Sequence, residues 1–402
     1  MRVALIGINY APEPTGIAPY AAGAAEGLQA QGNDVVTITG YPHYPQWRIS
    51  EGYSGSSIKE LINGVRVLRL RHPVPADAKL VGRSLMEVTF GLRAALHPWF
   101  GAQVVLTPTP ALLSSALVVA RARLTRCPAV VWVQDIYTLS ATQTGNATSL
   151  AGLIRTVESW TLRNASRVIV IHDRFADYVT AELGVDPTKV DVVRNWSHLA
   201  ENHTPRTRQA RHRLGWSDSD IVVLHAGNMG AKQNLENVVR AAELAASRAS
   251  RVRFVLLGDG HRRKALAAMG SNTNLQFIDP LPDEEFAAAL ANADVLLVNE
   301  LPGMTEMSVP SKLTTYFSTG RPLLAAVDAG SVTAAEVEAA GAGLRIKPDD
   351  PEALLAGAEQ LAEDPELCRR LGDSGLAYRR AKLSAAAAIT GISRSLRLAS
   401  RS

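Results

Sequence analysis

Cysteine is nearly absent: the 402 residues contain only Cys127 and Cys368. They are far apart, and neither belongs to a CxxC or to a Cys/His cluster at zinc spacing, so a disulfide framework and a structural zinc site are both excluded. Long apolar runs are missing too. The longest, PALLSSALVVA at residues 110–120, is far short of the roughly 20 residues that a membrane-spanning helix needs. Basic tracts are also lacking. The net charge of +4 arises from 42 Lys and Arg against 38 Asp and Glu, spread thinly along the chain. Such a balance argues against a nucleic-acid partner and leaves room for a small anion or an anionic membrane surface. The opening stretch MRVALIGINYAPEP has one basic residue before a short apolar run. It reads as a first strand rather than a signal peptide, and a cytoplasmic protein is expected.

What is present is apolar and periodic. With 47% hydrophobic and 20% charged residues, a chain of this length can build two cores. Strand-like runs at residues 2–8, 34–39, 65–70, 103–106, 129–133 and 167–171 alternate with Ala/Leu-rich helical stretches. Near-continuous Val/Ile/Leu runs such as RVIVI mark parallel strands covered on both faces. A polar, aperiodic break at residues 194–209 follows, and the pattern restarts with strands at 221–226, 252–257, 274–278, 294–299, 322–326 and 343–346. The expected fold is α/β: two Rossmann-like, doubly wound parallel-sheet domains facing a cleft, over residues 1–200 and 201–375, with a last helical segment at 376–402 crossing back to the first domain.

Several short stretches carry chemistry. In MSVPSKLTTYFSTGRP, residues 307–322, Leu313, Tyr316 and Phe317 fall on one face of a short helix, which leaves Ser311 and Lys312 pointing out of its first turn. A lysine is disfavoured at a helix N-terminus unless an anion sits beside it. In LHAGNMGAKQNLENVV a glycine-bearing loop with Gly227, Gly230 and Lys232 separates a strand from a helix beginning near Asn234. That arrangement suits phosphate, although a loop lysine can equally be solvated. If both loops open at the carboxyl edge of one sheet, the two lysines converge on a diphosphate. Gly258, Asp259 and Gly260 end another strand, where small residues admit a ring or a ribose, or form only a tight turn. Thr15 and Gly16 lie in a Pro-rich turn after the first strand, suited to close ligand approach or to an ordinary connection. No GxGxxG is present there, which disfavours a dinucleotide. The single D-x-D, Asp218 to Asp220, precedes a strand and lies away from the expected site. No metal or other cofactor is expected.

In combination these motifs resemble a known family. YAPEPTGIAPY, YPHYPQW, WVQDIY, HAGNMGAKQNLE and VPSKLTTYFSTGRP, in this order, are similar to those of the retaining GT-B glycosyltransferases of the family 4-like group, in the branch that makes colanic acid and O-antigen repeat units. The resemblance implies a hexosyl transfer from a nucleotide-sugar donor, a UDP-sugar such as a UDP-N-acetyl-fucosamine-like one, to a glycan or polyprenyl-diphosphate-linked acceptor. It places the donor mainly on the second domain and the acceptor mainly on the first. It puts Lys232 on the diphosphate, Gly16 beside the transferring sugar and phosphates, and Asp135 opposite the reacting sugar, unless Asp135 caps the next turn. Two positions depart from the family. Asn228 stands where many relatives carry an arginine, a loss that Lys312 could offset, and Thr315 where many carry the second of two glutamates. Glu306, beside the first, then either bonds sugar hydroxyls or is an exposed loop acid. The departure at Thr315 keeps open a non-catalytic nucleotide-sugar-binding partner; a sugar-nucleotide epimerase of the same fold is a further alternative.

The segments at residues 79–101 and 110–126 combine apolar stretches with Lys79, Arg83, Arg93, Arg121, Arg123 and Arg126. They suit peripheral contact with the inner face of a membrane, or simply cover a sheet. The loop with Tyr41, His43, Tyr44 and Trp47 suits stacking on a sugar or on lipid, or packing.

Overall fold

Strands buried on both faces are what the apolar runs dictate. Every residue of β6 (Ala129–Val133) and β12 (Val295–Asn299) is buried, and all of β1 (Arg2–Ile6) except its first residue. The computed structural model describes residues 1–14, 16–76, 80–138, 149–196, 205–270, 272–303 and 311–401; for residues 80, 149–151 and 311 it describes the backbone only. The chain forms two units, one of Met1–Trp196 with Ala385–Ser402, the other of Ser197–Ser384.

The first unit holds an eight-stranded sheet in the order β3-β4-β2-β1-β5-β6-β7-β8. Its other strands are β2 (Asp34–Gly40), β3 (Ser57–Ile62), β4 (Val65–Leu70), β5 (Val104–Pro108), β7 (Arg167–Val170) and β8 (Val190–Val192). All pair in parallel except β3, which forms a hairpin with β4. Asn63 and Gly64 turn that hairpin with φ of 48° and 82°, the doubly positive geometry that an Asn-Gly pair favours. The second unit holds six parallel strands in the order β11-β10-β9-β12-β13-β14, namely β9 (Ile221–Ala226), β10 (Val252–Leu257), β11 (Leu275–Ile278), β12, β13 (Leu323–Ala326) and β14 (Gly343–Ile346).

In both sheets the strand order reverses beside the first strand, between β1 and β5 and between β9 and β12. In doubly wound folds the carboxyl ends of the strands at such a switch point hold the ligand. The sequence expectation lacked two edge strands. β8 is three residues long with Asp191 at its centre, and β3 alternates between exposed and half-buried residues, so neither presents an apolar run.

The break between the units falls between Trp196 and Ser197, inside the polar stretch and a few residues ahead of the expected boundary at residue 200. Arg194, Asn195 and Trp196 belong to the first unit, where the Trp196 ring stacks on Trp132 at 6.2 Å and meets the Tyr20 ring edge-on at 5.1 Å. The final segment divides at its other end. The helix Pro365–Lys382 lies in the second unit, and the helix Ala385–Ala399 packs in the first. There it contacts the helix Ala18–Ala30. A Cβ on Gly27 would lie 2.1 Å from Ile389 Cδ1, so only glycine permits that approach. Ser395 donates to Asp191 Oδ2 at 2.7 Å, and the same carboxylate receives the Arg167 fork at 2.7 and 2.8 Å.

Candidate functional site

In the second unit the site is built around the end of β9. The helix Ser311–Phe317 buries Leu313, Tyr316 and Phe317, as its periodicity predicts. The Tyr316 hydroxyl accepts the Ala226 N–H at 2.8 Å and donates to the Ala226 carbonyl at 3.1 Å. This docking turns Lys312 inward rather than out of the first turn. Lys312 is half-buried, its Nζ 3.5 Å from His225 Nε2 and 3.7 Å from where a Cβ on Gly227 would stand. Burial lowers the Lys312 pKa to about 8, against the opposing pull of Glu300. His225, fully buried, is held well below its ordinary pKa by burial and by the Lys312 charge, and is therefore neutral.

Lys232 is exposed in the 3-10 turn Ala231–Gln233. Its loop is fixed to the end of β12: buried Asn299 donates to the carbonyls of Gln233 and Asn234 at 2.9 Å each and accepts from Asn237 Nδ2 at 3.0 Å, and the Leu301 N–H reaches the Lys232 carbonyl at 2.9 Å. The following helix begins at Glu236 rather than Asn234, because Asn234 is left-handed with φ of 42°. Both lysines thus follow strands at the switch point.

Gly258 and Gly260 are accounted for by backbone packing. A Cβ on Gly258 would lie 2.2 Å from the Gly227 carbonyl oxygen, and one on Gly260 2.5 Å from that of Met229. The two loops lie backbone against backbone, joined by Gly227 N–H to Leu257 O and Met229 N–H to Asp259 O, both 2.8 Å. The exposed Asp259 carboxylate accepts the Gly260 N–H at 2.8 Å, Asn228 is exposed, and Thr315 is half-buried on its helix. Thr15 and Glu306 lie outside the described residues, as does the Ser311 side chain. Asp218 and Asp220 sit before β9, at its amino end, engaged by Arg208 at 3.3 Å and by Arg253 at 3.3 Å. Among the described residues no group of three His, Cys, Asp or Glu side chains is placed to hold a metal.

The first unit carries its own cavity of about 370 Å³ at the carboxyl ends of its strands, lined by Gly16, Tyr44, Trp47, Arg83, Gln134 and Asp135 among others. A buried glutamate that the motifs did not single out shapes it. Glu13 accepts the N–H groups of His43 at 2.8 Å and Tyr44 at 3.0 Å, and the Asn9 amide at 2.9 Å. The aromatic loop is thereby fixed, with the Tyr44 and Trp47 rings edge to face at 6.0 Å. Glu13→Ala is expected to leave those N–H groups unpaired and cost about 2–4 kcal/mol, read as a lower denaturation midpoint; an unchanged midpoint would show the loop to be held otherwise.

Asp135 follows β6 in the same cavity, and desolvation raises its carboxyl above the ordinary range. Among the described residues, the Tyr137 and Thr138 N–H groups of the next turn do not go to Asp135. They go to the buried Glu158 at 2.7 and 3.0 Å, while the Tyr137 hydroxyl donates to Glu87 at 3.2 Å. Gln134 and Asn195 exchange amide hydrogen bonds at 3.1 and 2.6 Å beside it.

Comparison with known proteins agrees with this division. The family model described as glycosyl transferase 4-like domain matches residues 15–196, and that of glycosyl transferases group 1 matches residues 207–377. The chain is 29% identical over 377 residues to the putative colanic acid biosynthesis glycosyl transferase WcaI of Escherichia coli K12, covering 90% of this chain and 92% of that one. In fold it is similar to sucrose-phosphate synthase from Thermosynechococcus elongatus (TM-score 0.70, 18% identity, 99% and 98% of the two chains). It is also similar to Anabaena HepE, solved in complex with UDP (TM-score 0.68, 14% identity, 99% and 100%). With a glycosyl transferase 4-like domain followed by a group 1 domain on two parallel-sheet units, the chain belongs to the GT-B glycosyltransferases.

Proposed function

We propose that this glycosyltransferase moves a hexosyl unit from a UDP-sugar, of the UDP-N-acetyl-fucosamine type, to a polyprenyl-diphosphate-linked or other glycan acceptor in cell-surface polysaccharide synthesis, with retention at the anomeric carbon and without a metal. The observation that carries it is the pair of lysine-bearing segments that follow β9 and β12 at the switch point, the turn of Lys232 and the helix of Lys312, with Lys312 held half-buried against the Gly227 backbone. Departure of the nucleotide places negative charge on a phosphate, and preorganised cations in a desolvated site lower that barrier. Lys232 and Lys312 supply this charge on the second unit; on the first, Asp135 is read as facing the reacting sugar and Gly16 as lying beside that sugar and its phosphates. The relatives support the same assignment: WcaI is described for colanic acid biosynthesis, and HepE was solved with UDP.

Contact with the inner face of a membrane is assigned to the outer side of the helices Leu80–Leu96 and Leu112–Thr125. Val81, Leu96 and Leu124 are 81%, 83% and 86% exposed there, beside the exposed Arg123 and Arg126. Two of the expected cations are engaged internally instead. Arg93 donates to the carbonyls of Arg71 and Ser56, and Arg121 donates to those of Ala95 and His97 while lying 4.2 Å from the Trp99 ring centre. Lys79 lies outside the described residues. Among the described residues no helix is long and apolar enough to cross a membrane.

Thermal shift with UDP, GDP and dTDP, followed by nucleotide release from the matching sugar donors, tests the proposal. UDP is expected to raise the melting temperature and UDP-sugar to release UDP, with Lys232→Ala slowing release about 100-fold. Binding without release in the presence of glycan acceptors would favour the non-catalytic partner.

A further inference from the structure

Arg83 faces the buried Glu87 carboxylate, whose ionised form its charge favours, without bonding to it. It sits on the inward side of the helix Leu80–Leu96 with Met86 and Glu87, half-buried in the cavity wall. Its guanidinium lies 5.9 Å from the centre of the Trp47 ring and, among the described residues, makes no hydrogen bond or ion pair. Arg93 of the same helix, by contrast, is engaged by backbone carbonyls. The nearby carboxylate of Glu87 is already satisfied by the Leu113 N–H at 2.9 Å and the Tyr137 hydroxyl at 3.2 Å. A half-buried guanidinium stacked on an indole keeps its planar fork free for a bidentate oxyanion.

The opposite stripe of the same helix is apolar and exposed: Val81, Leu85 and Leu96 are 81%, 59% and 83% accessible. We infer that Arg83 reads a phosphate esterified to the acceptor sugar, with the sugar against Trp47 and Tyr44 and any alkyl chain leaving along Val81 and Leu85. The inference rests on the first unit holding the acceptor, and it assigns a specificity-determining residue there. A lipid-linked sugar diphosphate and a soluble sugar phosphate share this chemistry.

Calorimetric titration of the whole protein without donor distinguishes them. The probes are octyl diphosphate N-acetylglucosamine, N-acetylglucosamine 1-phosphate, neutral octyl N-acetylglucosaminide and octyl glucuronide. The phosphorylated probes are expected to bind about tenfold more tightly than the neutral one, and Arg83→Gln to erase that preference. A further gain from the octyl chain identifies a lipid-linked source; equal affinity of the soluble phosphate identifies a free one. Absence of a phosphate preference, its persistence in Arg83→Gln, or a stronger preference for the glucuronide would overturn the assignment. An unchanged UDP thermal shift in Arg83→Gln verifies its fold, and failure of the wild-type protein to bind UDP would count against the donor reading alone.

Discussion

Lys312→Ala is expected to lower turnover by about 10²- to 10³-fold, the effect of deleting one preorganised donor to charge that develops on a leaving group. The ligand-free fold should not suffer. Lysine at this position opposes folding, because burial brings its pKa to about 8 from an ordinary 10.5. A shift of that size corresponds to a penalty of up to about 3 kcal/mol, and Lys312→Met should therefore melt at a higher temperature than the parent. The sign follows from proton binding. Between pH 8 and 10.5 the unfolded chain binds more protons at this group than the native one, so stability rises with pH across that window, and the penalty is present in full below about pH 8.

Donor binding has the opposite dependence. A diphosphate beside Lys312 favours the ammonium, so its binding takes up a proton near neutral to mildly alkaline pH. Titration with UDP should show affinity falling above about pH 8 by up to tenfold per pH unit, with the dependence lost in Lys312→Met. A pH-independent wild-type affinity would remove Lys312 from the diphosphate site.

Gly258→Ala is expected to be a strongly damaging single-methyl change in the second unit. Its φ is +130°, a conformation that L side chains rarely adopt, and the new carbon would stand 2.2 Å from the Gly227 carbonyl oxygen. Strain and overpacking together should cost about 3–5 kcal/mol. The same displacement pushes on the loop that faces Lys312, so UDP binding should weaken as well. Circular dichroism melts with and without UDP read both effects; a melt within a degree of wild type would mean that the two loops are not packed backbone to backbone.

Much of this was legible in the residues. The runs IVVLHA and VRFVLL are β9 and β10 end to end, because strands buried on both faces must be continuously apolar. The placement of Lys232 in a turn after one strand and of Lys312 in the first turn of a helix after another followed from the βα alternation and the helix pattern. The direction of the Lys312 side chain did not. It depends on Tyr316 bonding to Ala226, 90 positions away in the chain, and no local pattern encodes such a partner. The roles of Glu13, Glu158 and His225 were hidden for the same reason: each is a buried polar residue whose partners lie far off in sequence. The β3 hairpin had a local signal, Asn63–Gly64 between alternating residues, that periodicity of apolar runs does not capture.

The return of the helix Ala385–Ala399 to the first unit has a consequence for biogenesis. On the ribosome, residues 1–196 emerge long before the segment that covers Gly27 and engages Asp191. The second unit, contiguous over Ser197–Ser384, can reach its native state during elongation. The unit translated earlier is therefore completed later, and until then the Ala-rich surface of residues 18–30 is open to solvent and to chaperones.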